Sequence, residues 1–506
     1  MPCGKGADGG SPLDWAPRAD LFPRGLEPLA AAGLRFMLYG AYWAPPPVNK
    51  FPNFTFAVSQ VMPDGPLHIA GIAANESRAF YGELLARAAP WGVAGIETDW
   101  IMKDVAGFTD LQTRAGAVDE WWAGAADAAL AAQVPWQLCL GWAADILMAL
   151  PHAAVTHIRV SIDNEPRHFP NRWRSGQTAL LHGVLAVRPF NDVVLTSSPQ
   201  PGLPYAWANN ETSYPELTLL LAALSTGPVG IGDGLGFTNA TLALAACDAG
   251  GALLQPSSPA TFIDAQFDDD RGVRGNGAGA RGTVFQAHSY VAAHASAAPD
   301  GVHHFLAALA VDVPRPRALW PADFSPALRG GGAPRTVSYA RSLTLGRSDS
   351  LTLLPAAGAW VAARWALGAA RLTEACAAGA PARGCVSVVT DSAPLDVSTG
   401  SGGGAAAPFD HDVELFSLAP VLSSGWALVG ELSKVVRVAP ARFVWLEDAP
   451  AGPRFAVRIA PYETVRVTLV DGVDGRVVAA VVEGGDSGGD FVVACARGAC
   501  TSAPAP

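Results

Sequence analysis

The chain has 506 residues, half of them hydrophobic and 16% charged, so it is long enough for two packed cores and is typical of a globular protein. Its formal net charge of −11 and the lack of a run of Lys or Arg argue against nucleic-acid binding. No apolar segment reaches the roughly 18 residues that a membrane helix needs, so we expect no membrane span.

The first half of the chain alternates between segments typical of strands and of helices. Strand candidates occupy residues 34–43, 54–61, 93–100, 135–142, 156–163, 192–199 and 227–233. Helical patterns occupy residues 76–92, 119–133, 143–150, 175–187 and 214–226. Repeated strand–helix units predict an α/β fold with a parallel sheet, and six or seven of them favour a closed (β/α) barrel over an open sheet.

The pattern changes at about residue 271. Short β-rich segments follow one another, separated by Gly- and Pro-rich turns, and helical periodicity becomes scarce. This is typical of an antiparallel β-sandwich. We therefore expect a barrel domain over residues 1–270 and a β-rich domain over residues 271–506.

Acidic residues stand at the ends of three predicted strands. Asp99, Asp163 and Asp233 each close one, and Glu97 lies on the same side of its strand as Asp99 because side chains alternate. In parallel barrels, functional side chains gather where the strands end. Hydrolysis of a glycosidic bond needs two carboxylates, so this pattern favours a carbohydrate site.

Three tryptophans are candidate sugar platforms, since Trp43, Trp100 and Trp142 follow or end predicted strands. Each has an alternative reading as packing between sheet and helices. The strand-end acids likewise have an alternative reading as helix N-caps or solvated strand ends.

Two of these segments resemble motifs of the clan D glycoside hydrolases, of the α-galactosidase and raffinose-synthase type. "GVAGIETDW" is similar to the strand-four motif that holds the nucleophile, and "HIRVSIDNEP" is similar to the strand-six segment that holds the general acid/base. The resemblance extends from about Asp14 to about Val470. It implies a (β/α)8-type TIM barrel followed by a β domain, and retaining hydrolysis of an α-glycoside without metal or cofactor.

The resemblance also implies roles for individual residues. Asp99 takes the nucleophile position, Asp163 the acid/base position, Arg159 that of a partner for substrate or carboxylate, and Asp233 that of a pocket residue. Glu97 departs from the pattern, because the family has a Lys two residues before the nucleophile. An acid there cannot donate as an ammonium does, and it should raise the pKa of a neighbouring carboxylate.

Two other readings of the function stay open at this point. One is a catalytically silent relative that binds carbohydrate in the same pocket, and the other is a purely structural glycoprotein. The presence of both Asp99 and Asp163 favours catalysis over the silent binder, and the structural reading leaves the strand-end acids unexplained. The sequence does not specify the oligomeric state.

The strand count predicts that the barrel lacks its first strand in this chain. Two strand candidates precede "GIETDW", whereas the resemblance makes that segment the fourth strand. Only "MPCGKGADGG" precedes the segment that would follow a first strand.

Two features indicate an oxidising, glycosylating compartment. Glycosylation sequons begin at Asn53, Asn75, Asn210 and Asn239. Four of the seven cysteines form two close pairs that we expect to be disulfides, Cys376 with Cys385 and Cys495 with Cys500. We therefore expect a secreted protein or one in the lysosomal or vacuolar lumen, although chance sequons and reduced thiols remain the alternative because no export signal is recognisable.

Three weaker motifs are set aside. "GDSGG" around Ser487 matches a nucleophile elbow, but its flanks predict a strand–turn–strand setting instead of strand–turn–helix. "GVRGNGAG" lacks the strand–helix setting of a phosphate-binding loop. The ten His residues show no metal-ligand spacing.

Overall fold

The computed structural model describes the chain in segments. They are residues 14–41, 43–46, 49–60, 68–101, 108–139, 141, 143–161, 182–183, 185, 187–198, 200, 215–262, 283–293, 301–309, 316–319, 335–342, 347–353, 359–365, 386–390, 395–398, 413–471, 475–496 and 498–506.

The described residues fall into two compact units. The N-terminal unit lies within Met1–Val160, Leu185–Pro189 and Ser342–Gly346, and the C-terminal unit lies within Ser161–Val184, Phe190–Arg341 and Arg347–Pro506. The expected division into domains 1–270 and 271–506 stays a prediction.

The N-terminal unit alternates strands and helices as the sequence predicts. Its strands are β1 (Phe36–Gly40), β2 (Phe56–Gln60), β3 (His68–Ile72), β4 (Val93–Thr98), β5 (Trp136–Leu138), β6 (Val155–Arg159) and the start of β7 (Arg188–Phe190). Its helices are α1 (Glu27–Ala31), α2 (Ser77–Ala88), α3 (Thr109–Thr113), α4 (Ala117–Ala131) and α5 (Ala143–Ala149), with 3-10 turns at Ala74–Glu76 and Ala89–Trp91.

A five-stranded sheet in the order β1-β4-β5-β6-β7 organises this unit, and β1, β4, β5 and β6 pair in parallel. The predicted α/β class with a parallel sheet is thereby confirmed. The predicted second strand is β2, which instead pairs antiparallel with β3 outside this sheet. Within the described residues the sheet has five strands and does not close, so the eight-stranded barrel stays a prediction.

Alternation divides the central strands into two faces. One face packs against α2 and α4: the ring of Trp136 lies 5.2 Å from that of Trp122 and 6.0 Å from that of Tyr81. The Nε1–H of Trp136 donates to Thr98 Oγ1 at 2.9 Å, which satisfies both polar groups within the core. The apolar side chains of this face anchor the sheet, and the opposite face is left for polar residues.

The C-terminal unit is β-rich, as the sequence predicts. Its helices are α6 (Pro215–Leu224) and α7 (Ala240–Ala243), with a 3-10 turn at Leu244–Ala246. Its strands are β8 (Ser258–Phe262), β9 (Thr283–Ala293), β10 (Gly301–Leu309), β11 (Pro316–Leu319), β12 (Arg335–Ser342), β13 (Arg347–Leu353), β14 (Ala359–Trp365), β15 (Ser387–Thr390), β16 (Leu395–Ser398), β17 (Val413–Pro420), β18 (Ala427–Gly430), β19 (Phe443–Ala449), β20 (Gly452–Ile459), β21 (Thr464–Asp471), β22 (Arg476–Glu483), β23 (Gly489–Ala496) and β24 (Ala499–Pro504).

Most of these strands join one ten-stranded sheet, in the order β15-β14-β17-β10-β9-β19-β20-β23-β24 with β8 beside β9, and a second sheet has the order β18-β21-β22. Pairing is antiparallel except between β9 and β19. Valines alternate inward along β21 and β22, so their buried faces contribute to a common apolar cluster that includes Phe443 and Phe455.

Two predicted strands are much reduced. Residues 192–199 and 227–233 meet only at a single parallel bridge between Val194 and Ile231, whereas the helix predicted between them is present as α6. Ser487 lies in a turn between β22 and β23, as predicted, but these strands belong to different sheets and do not form a hairpin. None of the described helices is long and apolar enough to cross a membrane.

Candidate active site

A row of polar side chains crosses the face of the parallel sheet opposite to Trp136 and Thr98. The strand register places Tyr39 of β1 beside Glu97 of β4, Glu97 beside Gln137 of β5, and Gln137 beside His157 of β6. Residues paired across parallel strands share a face, so all four side chains belong to the same side of the sheet.

A second row lies two residues further along the same strands. Asp99 follows Glu97, Cys139 follows Gln137, and Arg159 follows His157, so alternation places these three on the same face and nearer the carboxyl ends of the strands. This is the arrangement predicted for Glu97 and Asp99. Arg159, expected as a partner for substrate or carboxylate, lies in the same row, and its charge lowers the pKa of Glu97.

Each oxygen of the Asp99 carboxylate is held by a donor. Tyr39 Oη–H donates to Oδ2 at 2.7 Å, and the backbone N–H of Trp100 donates to Oδ1 at 2.8 Å. The backbone N–H of Asp99 itself donates to the Gly40 carbonyl at 2.8 Å. Donors on both oxygens stabilise an ionised carboxylate and fix its orientation.

The backbone is strained immediately after this carboxylate. Trp100 has a φ of 58°, in the left-handed region that bulky residues rarely adopt. Such conformations persist where tertiary contacts impose them, and they cluster at functional sites. Trp100 is half-buried beside Asp99. Its position therefore remains compatible with the predicted contact to a sugar.

Opposing influences act on the pKa of Glu97. Burial raises its pKa and the neighbouring charge of Asp99 adds to the rise, whereas the Gln137 hydrogen bond, the Arg159 charge and the Cys139 thiol lower it; the net shift is upward. The surroundings of the two carboxyls therefore differ: Asp99 has a donor on each oxygen, whereas burial raises the pKa of Glu97 above its ordinary value.

Two further groups of the site stay protonated at neutral pH. Burial, followed by the charge of Asp99, raises the pKa of the Tyr39 hydroxyl. Burial also raises the pKa of the Cys139 thiol, against the lowering effect of the Arg159 charge. Both groups thus act as hydrogen-bond donors and not as nucleophiles.

His157 lies deeper in the sheet and is neutral. Burial, with a smaller effect from the charge of Arg188, lowers its pKa to about 4. Its Nδ1 is 2.7 Å from Thr156 Oγ1, and its Nε2 is 2.6 Å from Gln137 Oε1.

Trp43 lies in the core and not at the site. It is 3% exposed, and its ring lies 5.1 Å from Phe51, 5.2 Å from Phe80 and 6.0 Å from Trp15. The alternative reading as core packing therefore holds for this tryptophan, since neighbouring rings occupy the surface that a sugar would need.

Asp233 is engaged in holding a loop of the C-terminal unit. Its carboxylate accepts from the Thr196 backbone N–H at 2.7 Å, from the Thr196 hydroxyl and from the Gln200 amide. Gln200 in turn accepts from the Gly234 backbone N–H at 2.8 Å. Three donors already occupy this carboxylate, which favours a role in loop structure over the predicted contact with substrate.

Asp163 and Trp142 lie outside the described residues, so their predicted roles as acid/base and sugar platform stay predictions. In the part of the chain that the structure describes, no three His, Cys, Asp or Glu side chains are grouped to hold a metal ion.

Three of the four predicted glycosylation sites have exposed asparagines in the structure, at Asn53, Asn75 and Asn239; Asn210 lies outside the described residues. Asn239 also caps α7, because its Oδ1 accepts from the Leu242 backbone N–H at 3.2 Å.

Of the predicted disulfides, the one between Cys495 and Cys500 is formed in the structure, across paired positions of β23 and β24 with Cα atoms 4.1 Å apart. Cys376 and Cys385 lie outside the described residues. Cys139 and Cys247 are free thiols.

Sequence reasoning missed four members of the site: Tyr39, Gln137, Cys139 and His157. Period-two alternation could have indicated them, because each lies at the same phase as Glu97 or Asp99 on its own strand. The missing information was the strand register, which shows that these positions are neighbours.

No protein-family model and no curated protein matches the chain. Among solved structures, the chain is similar to the GH27 β-L-arabinopyranosidase Abp from Geobacillus stearothermophilus. A variant of Abp in complex with arabinose matches at 12% identity and a TM-score of 0.48, with 80% of this chain and 81% of that chain covered. Wild-type Abp matches at 13% identity and a TM-score of 0.46, with 81% of each chain covered.

A third similar structure is a Bacillus halodurans C-125 protein provisionally named as an α-N-acetylgalactosaminidase. It matches at 13% identity and a TM-score of 0.45, covering 80% of this chain and 81% of that chain. The solved structures that this chain is similar to thus include glycoside hydrolases of family GH27.

Proposed function

We propose that this protein is a retaining glycoside hydrolase that acts on an α-glycoside. The observation that supports the proposal is the Asp99 carboxylate at the end of β4, with one donor on each oxygen and with Glu97 and Arg159 beside it. Donors on both oxygens fix the orientation of this carboxyl group, as an enzymatic nucleophile requires.

In the proposed reaction, Asp99 attacks the anomeric carbon while Asp163 donates a proton to the leaving oxygen. The glycosidic C–O bond breaks, and a covalent glycosyl ester with Asp99 forms. Asp163, now ionised, then removes a proton from water, whose oxygen attacks the anomeric carbon and releases Asp99. The second step restores both carboxyl groups to their starting states.

The residues around Asp99 are proposed to orient the sugar. Glu97 offers hydrogen-bonding oxygens, and the charge of Arg159 offsets part of the negative charge on the two acids. Trp100 and Trp142 are the proposed stacking surfaces. The proposed pocket differs from the α-galactosidase pattern mainly at Glu97, which favours a sugar other than the one the Lys of that pattern selects.

A panel of aryl glycosides tests the proposal. It includes α-D-galactosides, β-L-arabinopyranosides, α-N-acetylgalactosaminides and the opposite anomers. Asp99→Asn should abolish turnover, whereas the exposed acid control Asp20→Asn should leave it unchanged. Asp163→Ala should slow substrates with poor leaving groups most, and azide should restore turnover of an activated substrate by attacking the glycosyl-enzyme.

Two results would overturn this mechanism. Product of inverted configuration would exclude a covalent intermediate on Asp99. Sugar binding by calorimetry without turnover of any glycoside in the panel would instead identify a silent carbohydrate-binding protein.

We further propose that the protein matures in a secretory, lysosomal or vacuolar lumen. The exposed sequon asparagines Asn53, Asn75 and Asn239 and the Cys495–Cys500 disulfide support this location. Expression in a eukaryotic host with its own targeting signal, followed by enzymatic deglycosylation, should reveal a mass loss that Asn53→Gln reduces. Protein without glycans at all three asparagines would contradict the proposal.

A further inference from the structure

A directed chain of hydrogen bonds runs across the sheet towards Glu97. Gln137 is paired with Glu97 in the strand register, so the two side chains lie beside one another on the same face of the sheet, and only the amide N–H2 of Gln137 can donate to a carboxylate. Its Oε1 must then be the acceptor facing His157 Nε2, at 2.6 Å. Nε2 therefore bears the ring proton, and Nδ1 accepts from the Thr156 hydroxyl at 2.7 Å.

We infer that Thr156, His157 and Gln137 orient the Glu97 carboxyl beside Asp99, and that Gln137 is a positioning residue of the active site. The orienting role of Gln137 in catalysis rests on the proposed function. The hydrogen-bond chain itself does not, because it follows from the contacts and the strand register.

Gln137 suits this position because its amide presents an acceptor at one end and a donor at the other. An apolar side chain would offer neither, so Glu97 would lose a donor and His157 would lose its acceptor. Burial makes both losses costly: Gln137 is 6% exposed and His157 is 7% exposed.

The titratable groups around Glu97 come from three strands besides its own. Tyr39 faces it from β1, Cys139 from β5 and Arg159 from β6, and Asp99 follows on β4. Of these, Arg159 is the cation, and Tyr39 and Cys139 are neutral donors. The Gln137 amide therefore supplies orientation without adding charge to a site that already holds two acids.

The isosteric change Gln137→Glu distinguishes orientation from packing. Above the pKa of the new acid, Glu at this position is a second anion beside Glu97. Two carboxylates then face each other, and neither has the amide N–H2 that donates in the wild type. Once protonated, its O–H donates to Glu97 and its carbonyl accepts from His157, which reproduces the glutamine pattern. A neighbouring anion raises the pKa of a carboxyl, so this recovery should appear as the pH is lowered.

We expect Gln137→Met to lower kcat/KM by about 10- to 100-fold relative to wild type at every pH, the loss of one hydrogen bond to a charged group. Gln137→Glu should show a similar loss at pH 8 and recover to within about threefold of wild type near pH 5. Gln112→Glu, the same exchange at an exposed position of α3, should match wild type throughout. Equal loss at both pH values for Gln137→Glu would overturn the positioning role.

The tautomer of His157 tests the chain independently of turnover. Long-range ¹H–¹⁵N spectra of the full chain, with the resonance assigned from His157→Asn, should show a neutral ring protonated at Nε2 from pH 5 to pH 8. A ring protonated at Nδ1, or a cationic ring above pH 5, would overturn the chain. If no glycoside is turned over by wild type, the proposed function fails, while these spectra still decide whether the chain exists.

Discussion

Replacing Glu463 with Gln should destabilise the C-terminal unit strongly, because this carboxylate completes a buried ion pair. Arg442, 1% exposed, donates from Nη1 to Oε2 at 2.7 Å and from Nη2 to Oε1 at 2.6 Å. The backbone N–H groups of Ala249 and Ala460 donate to the same two oxygens at 3.1 and 3.0 Å. The carboxylate thus accepts four hydrogen bonds.

The size of the effect follows from counting donors. Gln has one oxygen, so one pair of donors keeps an acceptor while the other pair faces an NH2 group that cannot accept. Two hydrogen bonds to a charged acceptor are lost, each contributing about 1.5–3 kcal/mol. Glu431, whose oxygen lies 3.2 Å from Arg442 Nε, still offsets part of the arginine charge. We therefore expect a loss of about 3–5 kcal/mol in the free energy of unfolding.

The pH dependence has a definite sign. Burial alone would raise the pKa of Glu463, but the Arg442 hydrogen bond, the backbone donors and the arginine charge lower it below its ordinary value. A carboxyl with a lowered folded-state pKa stabilises the fold above its unfolded pKa, and this contribution disappears as pH falls through the folded value. The difference in the free energy of unfolding between wild type and Glu463→Gln should therefore be largest near pH 7. It should shrink as the pH is lowered below about 4.3.

Urea denaturation of the whole chain at pH 7 measures the loss, and hydrogen exchange of peptides from β20 and β21 locates it. Hydrogen exchange is needed in addition to urea denaturation, because a chain with two compact units can unfold in more than one transition. Glu447→Gln is the matched control: its ion pair with Arg454, at 2.9 Å, is largely exposed and should contribute less than about 1 kcal/mol. Equal costs for the two variants would refute the argument that burial makes this ion pair important.

Two other predictions follow from local geometry. Tyr39→Phe removes the 2.7 Å hydrogen bond to Asp99 and should lower kcat/KM by about 10- to 100-fold on the best aryl glycoside; a change of less than about threefold would contradict this role. Gly488→Ala should destabilise the protein by at least about 2 kcal/mol more than Gly485→Ala in urea denaturation. Both glycines have left-handed φ, +62° and +56°, but a Cβ on Gly488 would lie 2.5 Å from the Ile459 carbonyl while the space beside Gly485 is open. Similar costs would show that the φ angle alone requires glycine.

Local patterning was sufficient to predict the elements that form the site. The run "GVAGIETDW" has strand-forming residues and a period of two, so Glu97 and Asp99 had to share a face of β4. Apolar residues at helical spacing predicted α2 and α4, and the spacing of Cys495 and Cys500 allowed a short closure. These features depend only on residues near one another in the chain.

Tertiary structure decided which of those residues meet. The row Tyr39–Glu97–Gln137–His157 depends on the register of four strands separated by long connections, and a shift of one residue in any strand would turn its side chain to the opposite face. Trp43 had a sequence context typical of a strand end, yet other aromatic rings enclose it in the core. The alternation of side chains between two faces is a property of a single strand. Which side chains lie beside one another depends on the pairing between strands, and only the folded chain fixes that pairing.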